Sequence, residues 1–323
     1  MSYSCCYVLT DDETLQFYNQ MMVSLSSLRY TGFAGKVYIV SDQETATLLN
    51  ARYTELEELS AELVTVNIQD DYYQIEKSRY LKTSLRKYIK GDALYIDTDT
   101  IFVACLPEVI SDSELAMAQD RNGLDDKTSY TWHKTLSDQC RLELPDGMNQ
   151  FFNAGVIWMR DTPSVNLFFS QWHALWKKLL SLGVFNDQIS LHHLYKSSNQ
   201  EIQLLDNRYN VQIGQPYFSL PMITNAYILH MYNNQCDSPV YSLLDPCVQR
   251  LDYRDEAIQK IIHDPLSGFS VCSWIPKDSV LEKCINSDTL LVLRKHKHVF
   301  TFGEYIFHVI RKVRHKIRRL FIL

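Results

Sequence analysis

The chain has no apolar run long enough to cross a membrane as a helix. Its first residues, Met1-Ser2-Tyr3-Ser4-Cys5-Cys6, lack a charged segment leading into a long apolar one, so no secretory signal peptide is expected. The eight cysteines form no Cys-x-x-Cys pair, so neither a zinc site nor a disulfide framework is indicated. Cys5 and Cys6 are neighbours in a strand-like run and are expected on opposite faces of a sheet, as reduced, packed thiols in a cytosolic setting. There is no internal repeat and no low-complexity linker. No nucleic-acid-binding motif is recognised, and the formal net charge is −6, so nucleic acid is not an expected partner.

What is present is an ordinary globular composition, 46% hydrophobic and 22% charged, in 323 residues. That length suits one large domain or two smaller ones. Twenty tyrosines and five tryptophans offer rings that can stack on bases or sugars, although packing accounts for most of them. Charge is divided unevenly. From Arg294 onward there are nine Lys/Arg and one acid, Glu304, which leaves 23 basic and 37 acidic residues of the total 32 and 38 for the rest. A basic tail on an acidic body implies an acidic partner for the tail.

The first half alternates strand and helix signals. Strands are expected at Tyr3–Leu9, Lys36–Val40, Leu63–Ile68, the run ending at Ile96, and Leu115–Gln119. Helices are expected up to about Tyr30, after a cap at Ser41-Asp42, and over about 75–89. This alternation predicts βαβ units and an α/β fold with a mostly parallel central sheet flanked by helices. A further strand is expected at Phe151–Met159. Asp161-Thr162-Pro163 then starts a helix on which Phe168, Trp172, Leu175, Trp176 and Leu179 recur at helical spacing. Another helix spans about Asp187–Tyr195, and beyond His230 short helices and turns are expected.

The residues that point to chemistry begin with Asp97-Thr98-Asp99, at the carboxyl end of Ala93-Leu94-Tyr95-Ile96. Open α/β sheets bind ligands at the carboxyl ends of their strands. Paired carboxylates there suit a hard divalent cation, which in turn holds an anionic oxygen group such as a diphosphate. On a continuing strand, alternate residues share a face, so both carboxylates would meet one ion. A solvated turn is the plainer alternative, since aspartate is common after strands. Arg79, Lys82 and Arg86 form a basic stripe at i, i+3 and i+7, a pattern that usually marks a solvated face.

Further segments follow in order: Val8-Leu9-Thr10-Asp11-Asp12 at the start, then Phe151-Phe152-Asn153-Ala154-Gly155-Val156, Asn186-Asp187-Gln188, and Tyr227-Ile228-Leu229-His230. Together with Asp97-Thr98-Asp99, over about residues 1–235, this series resembles the GT-A fold glycosyltransferases. The nearest pattern is family 8, the type of bacterial lipooligosaccharide galactosyltransferases and glycogenin. The resemblance implies a GT-A (Rossmann-like) domain over 1–240 and an extension over 241–323. It implies Asp97, Asp99 and His230 as ligands of Mn²⁺, or of Mg²⁺. It implies Asp11, Arg79, Asp97, Thr98, Asp120, Asn153 and Ala154 as donor-binding residues, with Asp187 and Gln188 at the reacting centre. Taken alone, Asp11 reads equally as a helix cap, Ala154-Gly155 as tight strand packing, Asp187 as a helix N-terminal carboxylate, and His230 as a packed histidine. The family often has a Gly-x-x-Lys-Pro-Trp run after its histidine. Here the sequence is His230-Met231-Tyr232-Asn233-Asn234-Gln235, so either another cation serves or the match to that subfamily is loose. The Asn-Ala-Gly-Val segment with Arg160-Asp161-Thr162-Pro163 also occurs in a neighbouring group of nucleotide-diphospho-sugar transferases.

The implied activity is metal-dependent transfer of a sugar from a nucleotide diphosphate, a UDP-sugar by the resemblance, to a hydroxyl of a glycan or lipid-linked saccharide, with retention. Two rivals stand. One is a haloacid-dehalogenase-like phosphohydrolase, whose first motif is also Asp-x-Asp. The other is a catalytically silent GT-A-like binding or scaffold protein at a membrane surface. Glu304 to Leu323 reads as a basic amphipathic helix, with Ile306, Val309, Val313, Ile317 and Leu320 on its apolar stripe. It suits an anionic membrane surface, which would place the protein in the cytoplasm, peripheral on the inner face of the membrane.

Overall fold

β1 (Ser4–Leu9) is buried along its whole length, and its side chains alternate between two cores. Cys5, Tyr7 and Leu9 face one core, and Cys6 and Val8 the other, as in a strand covered on both faces. The two thiols thus lie on opposite faces, and burial raises the pKa of each, which keeps them protonated. This computed structural model describes residues 2–68, 71–123, 134–135, 137–138, 140–143, 151–198, 200–212, 226–231 and 254–263. The expected amphipathic tail helix at 304–323 and the proposed boundary at 240/241 lie outside them. Among the described residues, no helix is long and apolar enough to cross a membrane.

Around β1 stand β2 (Val37–Asp42), β3 (Ala61–Val66), β4 (Ala93–Ile96), β6 (Leu115–Gln119), β7 (Phe152–Met159) and β8 (Gln203–Leu204). They form one seven-stranded sheet in the order β3-β2-β1-β4-β7-β6-β8. The pairs β1–β2, β2–β3, β1–β4 and β6–β8 are parallel, while β7 is antiparallel to both β4 and β6. Helices α1 (Gln16–Tyr30), α2 (Gln43–Leu49), α3 (Tyr53–Glu58) and α4 (Gln74–Thr83) connect the parallel half. The predicted mostly parallel sheet flanked by helices is therefore the one that forms.

Local chemistry sets the ends of these elements. Asp42 caps α2 by accepting from the backbone N–H groups of Glu44 (3.0 Å) and Thr45 (3.2 Å). The helix expected over 75–89 stops at Thr83, followed by a 3-10 turn at Leu85–Lys87. There the Thr83 and Ser84 hydroxyls donate back to the carbonyls of Arg79 (2.8 Å) and Tyr80 (2.6 Å), competing with the helical ladder. The third strand lies at Ala61–Val66, earlier than Leu63–Ile68. After β7, Thr162 caps α5 (Pro163–Leu180), with proline in its first turn. Phe168, Trp172, Trp176 and Leu179 are buried as the periodicity predicts, and Leu175 is partly buried. α6 (Asp187–Ser197) packs beside α5, and α7 (Glu256–His263) lies against α1, where the His263 and Tyr30 rings stand 4.4 Å apart.

A second, three-stranded sheet contains β5 (Thr100–Phe102), β9 (Val211–Gln212) and β10 (Ile228–His230), in the order β5-β10-β9. The chain passes from β4 in the large sheet to β5 in the small one through Asp97-Thr98-Asp99 alone. This corrects one expectation. The two aspartates do not share the face of a continuing strand, because β4 ends at Ile96 and the segment turns. The Thr100 hydroxyl closes that turn by donating to the Asp97 carbonyl (2.9 Å).

Arg86 belongs to the scaffold. Its guanidinium meets Asp161 (2.6 Å), the Asn166 side chain (3.0 Å) and the Gly91 carbonyl (2.9 Å), tying the turn before β4 to the end of β7 and the start of α5. The Asn166 amide, the Gly91 N–H and Arg86 hold the Asp161 carboxyl down to about 2. A folded-state value below the unfolded one gives stability that is present above pH 4 and lost as pH falls towards 2. We expect Asp161→Ala to destabilise the protein by about 1–2 kcal/mol at neutral pH, allowing for partial exposure. Urea unfolding at pH 7 and pH 2.5 should show that difference shrinking in acid.

Candidate metal and donor site

The seam between the two sheets gathers the candidate residues. β10 runs antiparallel to β5, with His230 opposite Thr100, and the Met231 N–H donates to the Asp99 carbonyl (2.8 Å). That register carries the His230 ring onto the aspartate turn. Its Nε2 lies 3.2 Å from Asp99 Oδ1 and 3.9 Å from Asp97 Oδ2. The histidine side chain is 3% exposed and each aspartate 25%, so the carboxylates open towards solvent from a buried imidazole. One donor atom from each of the three lies within 4.8 Å of the others. Two hard carboxylates and one imidazole are a donor set for Mn²⁺ or another divalent cation.

The backbone is shaped for this approach. A Cβ on Gly155 would stand 2.1 Å from His230 Cε1 and 2.6 Å from its Nδ1, so only glycine leaves the ring its place. β7 is irregular here: its pairing with β6 shifts between Met117, opposite Ile157, and Ala118, opposite Asn153. Bulges of this kind re-aim side chains next to functional sites. The Gly155 carbonyl meanwhile accepts from the Asp97 N–H (2.7 Å), pinning the aspartate turn to β7. The donor set, its convergence and the cleared space fit a divalent cation.

Electrostatics point the same way. Burial works to raise the Asp99 pKa, but the His230 charge and hydrogen bond outweigh it, and the carboxyl is lowered overall. Burial likewise works against a charged His230, yet Asp99 and then Asp97 raise its pKa. The site favours positive charge at the point where the three side chains meet.

Beside the triad lies a buried ion cluster. Lys82, 4% exposed, is 3.2 Å from Asp97 Oδ1 and 3.5 Å from Asp187 Oδ2. Its ammonium also stands 5.1 Å from the centre of the Tyr95 ring, whose hydroxyl donates to Asp97. Arg79 Nε is 3.1 Å from Asp187 Oδ1, and the Asp187 charge raises the guanidinium's pKa further. Asn186 caps α6 by accepting from the Ile189 N–H (3.1 Å), which sets Asp187 in the first turn, where the helix dipole also favours a carboxylate. Gln188 donates from Nε2 to the Phe152 carbonyl (3.2 Å), joining α6 to β7.

The remaining residues fall into two groups. Asn153 donates to Asp120 Oδ1 (3.4 Å), and its oxygen accepts from the Gly155 N–H (2.9 Å) and from Asn210 Nδ2 (2.9 Å). Asn210 Oδ1 in turn meets His230 Nδ1 at 2.9 Å. Thr98 sits half-buried in the aspartate turn, while the Ala154 methyl packs into the core under α5 and α6. Asp11 is committed to the fold. Its carboxylate accepts from the N–H groups of Tyr18 (2.5 Å) and Asp12 (3.0 Å), supplying the cap that Leu15 cannot give α1, and burial pushes it up to about 6. Sequence reasoning missed Asn210, which carries no local signal, and it left Lys82 as part of a solvated stripe.

No protein-family model matches the chain, and no curated protein matches it in sequence. Solved structures do. Mouse xyloside xylosyltransferase 1 is 15% identical, with 73% of this chain and 99% of that one covered at a TM-score of 0.48. The glycosyltransferase GlyE of Streptococcus pneumoniae TIGR4 is 19% identical, with 73% of this chain covered and only 56% of GlyE, at 0.49. An active-site mutant of the galactosyltransferase LgtC is 12% identical, with 74% of this chain and 90% of that one covered at 0.50. The fold is GT-A-like. At such identities the likeness concerns the fold, and the chemistry rests on the side chains described above.

Gly155→Ala tests the cradle directly. We expect Mn²⁺ affinity to fall by at least about tenfold, with roughly 1–3 kcal/mol lost from stability by overpacking. Calorimetric titration with Mn²⁺ and thermal melts of the metal-free protein measure the two effects separately.

Proposed function

We propose that the chain is a metal-dependent glycosyltransferase. It moves a sugar from a nucleotide-diphosphate donor, a UDP-sugar, to a hydroxyl of a glycan or lipid-linked saccharide, with retention of configuration. The observation that carries this reading is the convergence of Asp97, Asp99 and His230 beside two cations, Arg79 and Lys82, on a GT-A-like scaffold. Asp97, Asp99 and His230 would hold Mn²⁺, with Mg²⁺ as the alternative. When bound, the ion supplies Lewis-acid stabilisation of the charge that develops on a leaving diphosphate.

The chain's own residues supply the rest. Arg79 and Lys82 place fixed positive charge next to the metal ligands, in a partly dry site where such charge acts strongly on an anionic leaving group. They fill the role of the lysine that the family pattern puts after its histidine. Asp187 has one oxygen facing Arg79 and the other facing Lys82, so it is badly placed to take a proton from an acceptor. This favours retention, in which the leaving phosphate oxygen accepts that proton, over inversion with Asp187 as base. Gln188, whose amide nitrogen is bonded to β7, has its oxygen left for the reacting sugar. Asp120, Asn153 and Thr98 form the donor side of the site, where Ala154 contributes backbone only, its methyl lying in the core. Asp11 belongs there by its place after β1, although its carboxylate serves α1. The basic stripe of the tail, read from sequence, supports an anionic membrane surface as the place where a lipid-linked acceptor is met.

The decisive experiment is a screen of nucleotide-diphospho-sugars with and without Mn²⁺. Donor turnover should require the ion and fall more than about 100-fold in Asp97→Ala and Asp99→Ala. Full activity in either variant overturns the site. Phosphatase activity without sugar release would favour the phosphohydrolase, and no turnover of any donor would favour the silent binding protein. Lys82→Met separates the cation from the metal ligands: UDP binding in saturating Mn²⁺ should weaken by about 10–100-fold while Mn²⁺ affinity holds or rises, because the ammonium beside Asp97 is gone. Isothermal titration of each ligand reads the two effects.

A further inference from the structure

The hydrogen bonds behind His230 can be assigned atom by atom from one fixed point. A backbone N–H can only donate, so the Asn153 atom that meets the Gly155 N–H at 2.9 Å is its oxygen. The Asn210 atom facing that oxygen at 2.9 Å must then be its NH₂ group. The other end of the Asn210 amide is therefore an oxygen, and it lies 2.9 Å from His230 Nδ1. An oxygen there requires a hydrogen on Nδ1. In the neutral ring that leaves the lone pair on Nε2, the nitrogen 3.2 Å from Asp99. The opposite end of the chain closes consistently, because the Asn153 NH₂ donates to Asp120 Oδ1. Asn210 is itself held, its backbone carbonyl accepting from Asn122 Nδ2 at 2.8 Å, and both asparagines of the relay are buried.

We infer that Asn210 is a positioning residue of the metal site: it fixes the His230 tautomer and ring orientation so that Nε2 is the ligand atom, and Asn153 and Asp120 fix Asn210 in turn. The inference rests on the reading of His230 as a metal ligand. It follows the general pattern in which a ligating histidine donates its other N–H to a fixed acceptor, a contact whose loss typically costs 10–100-fold in metal affinity. It gives Asn153 and Asp120 a second task. Two residues placed on the donor-sugar side of the site are linked to the back of His230 through Asn210, so a sugar that displaces the Asn153–Asp120 contact acts on the metal through that relay.

The test uses the full chain and the metal alone, with Mn²⁺ affinity read from the electron paramagnetic resonance signal of free Mn²⁺. The variants are His230→Ala, Asn210→Leu, Asn210→Asp and the His230→Ala/Asn210→Leu double variant. Asn210→Leu is expected to weaken Mn²⁺ binding by about 10–100-fold. In the His230→Ala background the same change should cost nothing further, because the ring it positions is gone. Asn210→Asp, whose carboxylate still accepts from Nδ1, should retain more affinity than Asn210→Leu. Wild-type affinity in Asn210→Leu, or an equal loss in both backgrounds, overturns the inference while leaving the metal site standing. Equal losses in the aspartate and leucine variants overturn it too. Unchanged affinity in His230→Ala removes the metal ligand itself, and the inference with it. Should Asn210→Leu fail to fold, Asn153→Ala replaces it: it keeps Asn210 and removes the partner that orients its amide, together with the Gly155 N–H and Asp120 contacts, and a loss that vanishes without His230 supports the relay, whereas a loss that persists refutes it.

Discussion

The Lys82 ammonium, buried between Asp97 and Asp187, is the contact on which the site depends. A charge removed from water at 4% exposure is tolerable only when opposite charge and hydrogen bonds surround it. Lys82 has two carboxylates and an aromatic face, Asp187 has two cations, and Arg79 has Asp187. Each group is costly alone and acceptable within the set. The set joins α4, which supplies both cations, to the β4 turn and to the first turn of α6. Three elements far apart in sequence are thereby held at one point, and Asp97 of the candidate metal triad is held with them.

The second constraint is steric. His230 comes from the small sheet and the aspartates from the turn that leaves the large one, so the candidate metal triad forms where the two sheets meet. At that point the ring fills the volume a side chain on residue 155 would occupy. The same glycine bonds the aspartate turn through its carbonyl and Asn153 through its N–H. One backbone position thus serves the turn that presents the carboxylates and the relay that aims the imidazole. A substitution there disturbs both kinds of ligand at once, which a change at a neighbouring core residue such as Ala154 would not.

Much of the fold was legible because its signals are local. The strand expected at Tyr3–Leu9, the caps within Ser41-Asp42 and Asp161-Thr162-Pro163, and the periodic apolar residues of α5 are written in short windows, and they form at Ser4–Leu9, Asp42, Thr162 and Pro163–Leu180. The three residues of the candidate metal site are legible through their order along the chain, although a turn between sheets, not a shared strand face, presents the two aspartates. Lys82 and Arg86 were not separable in sequence. They share one stripe, yet one enters the ion cluster and the other braces Asp161, because the helix ends at Thr83 and its continuation points elsewhere. Asn210 was invisible for a different reason. Its role comes from β9 pairing with β10 and from the position of Asn153 in another sheet, and no window of sequence contains either fact.

The charge count of the assembled site gives an order to its occupancy. Asp97, Asp99 and Asp187 against Arg79 and Lys82 leave one negative charge when His230 is neutral. A diphosphate approaching that arrangement meets net repulsion, whatever hydrogen bonds the cations offer. A divalent cation at the triad would raise the balance among these five groups by two, to one positive charge, and so lower the repulsion an anion meets. The triad and the ion cluster share Asp97, so the change is felt within one carboxylate's width, where screening by salt is weak. Under the proposed function, this arithmetic favours metal before donor.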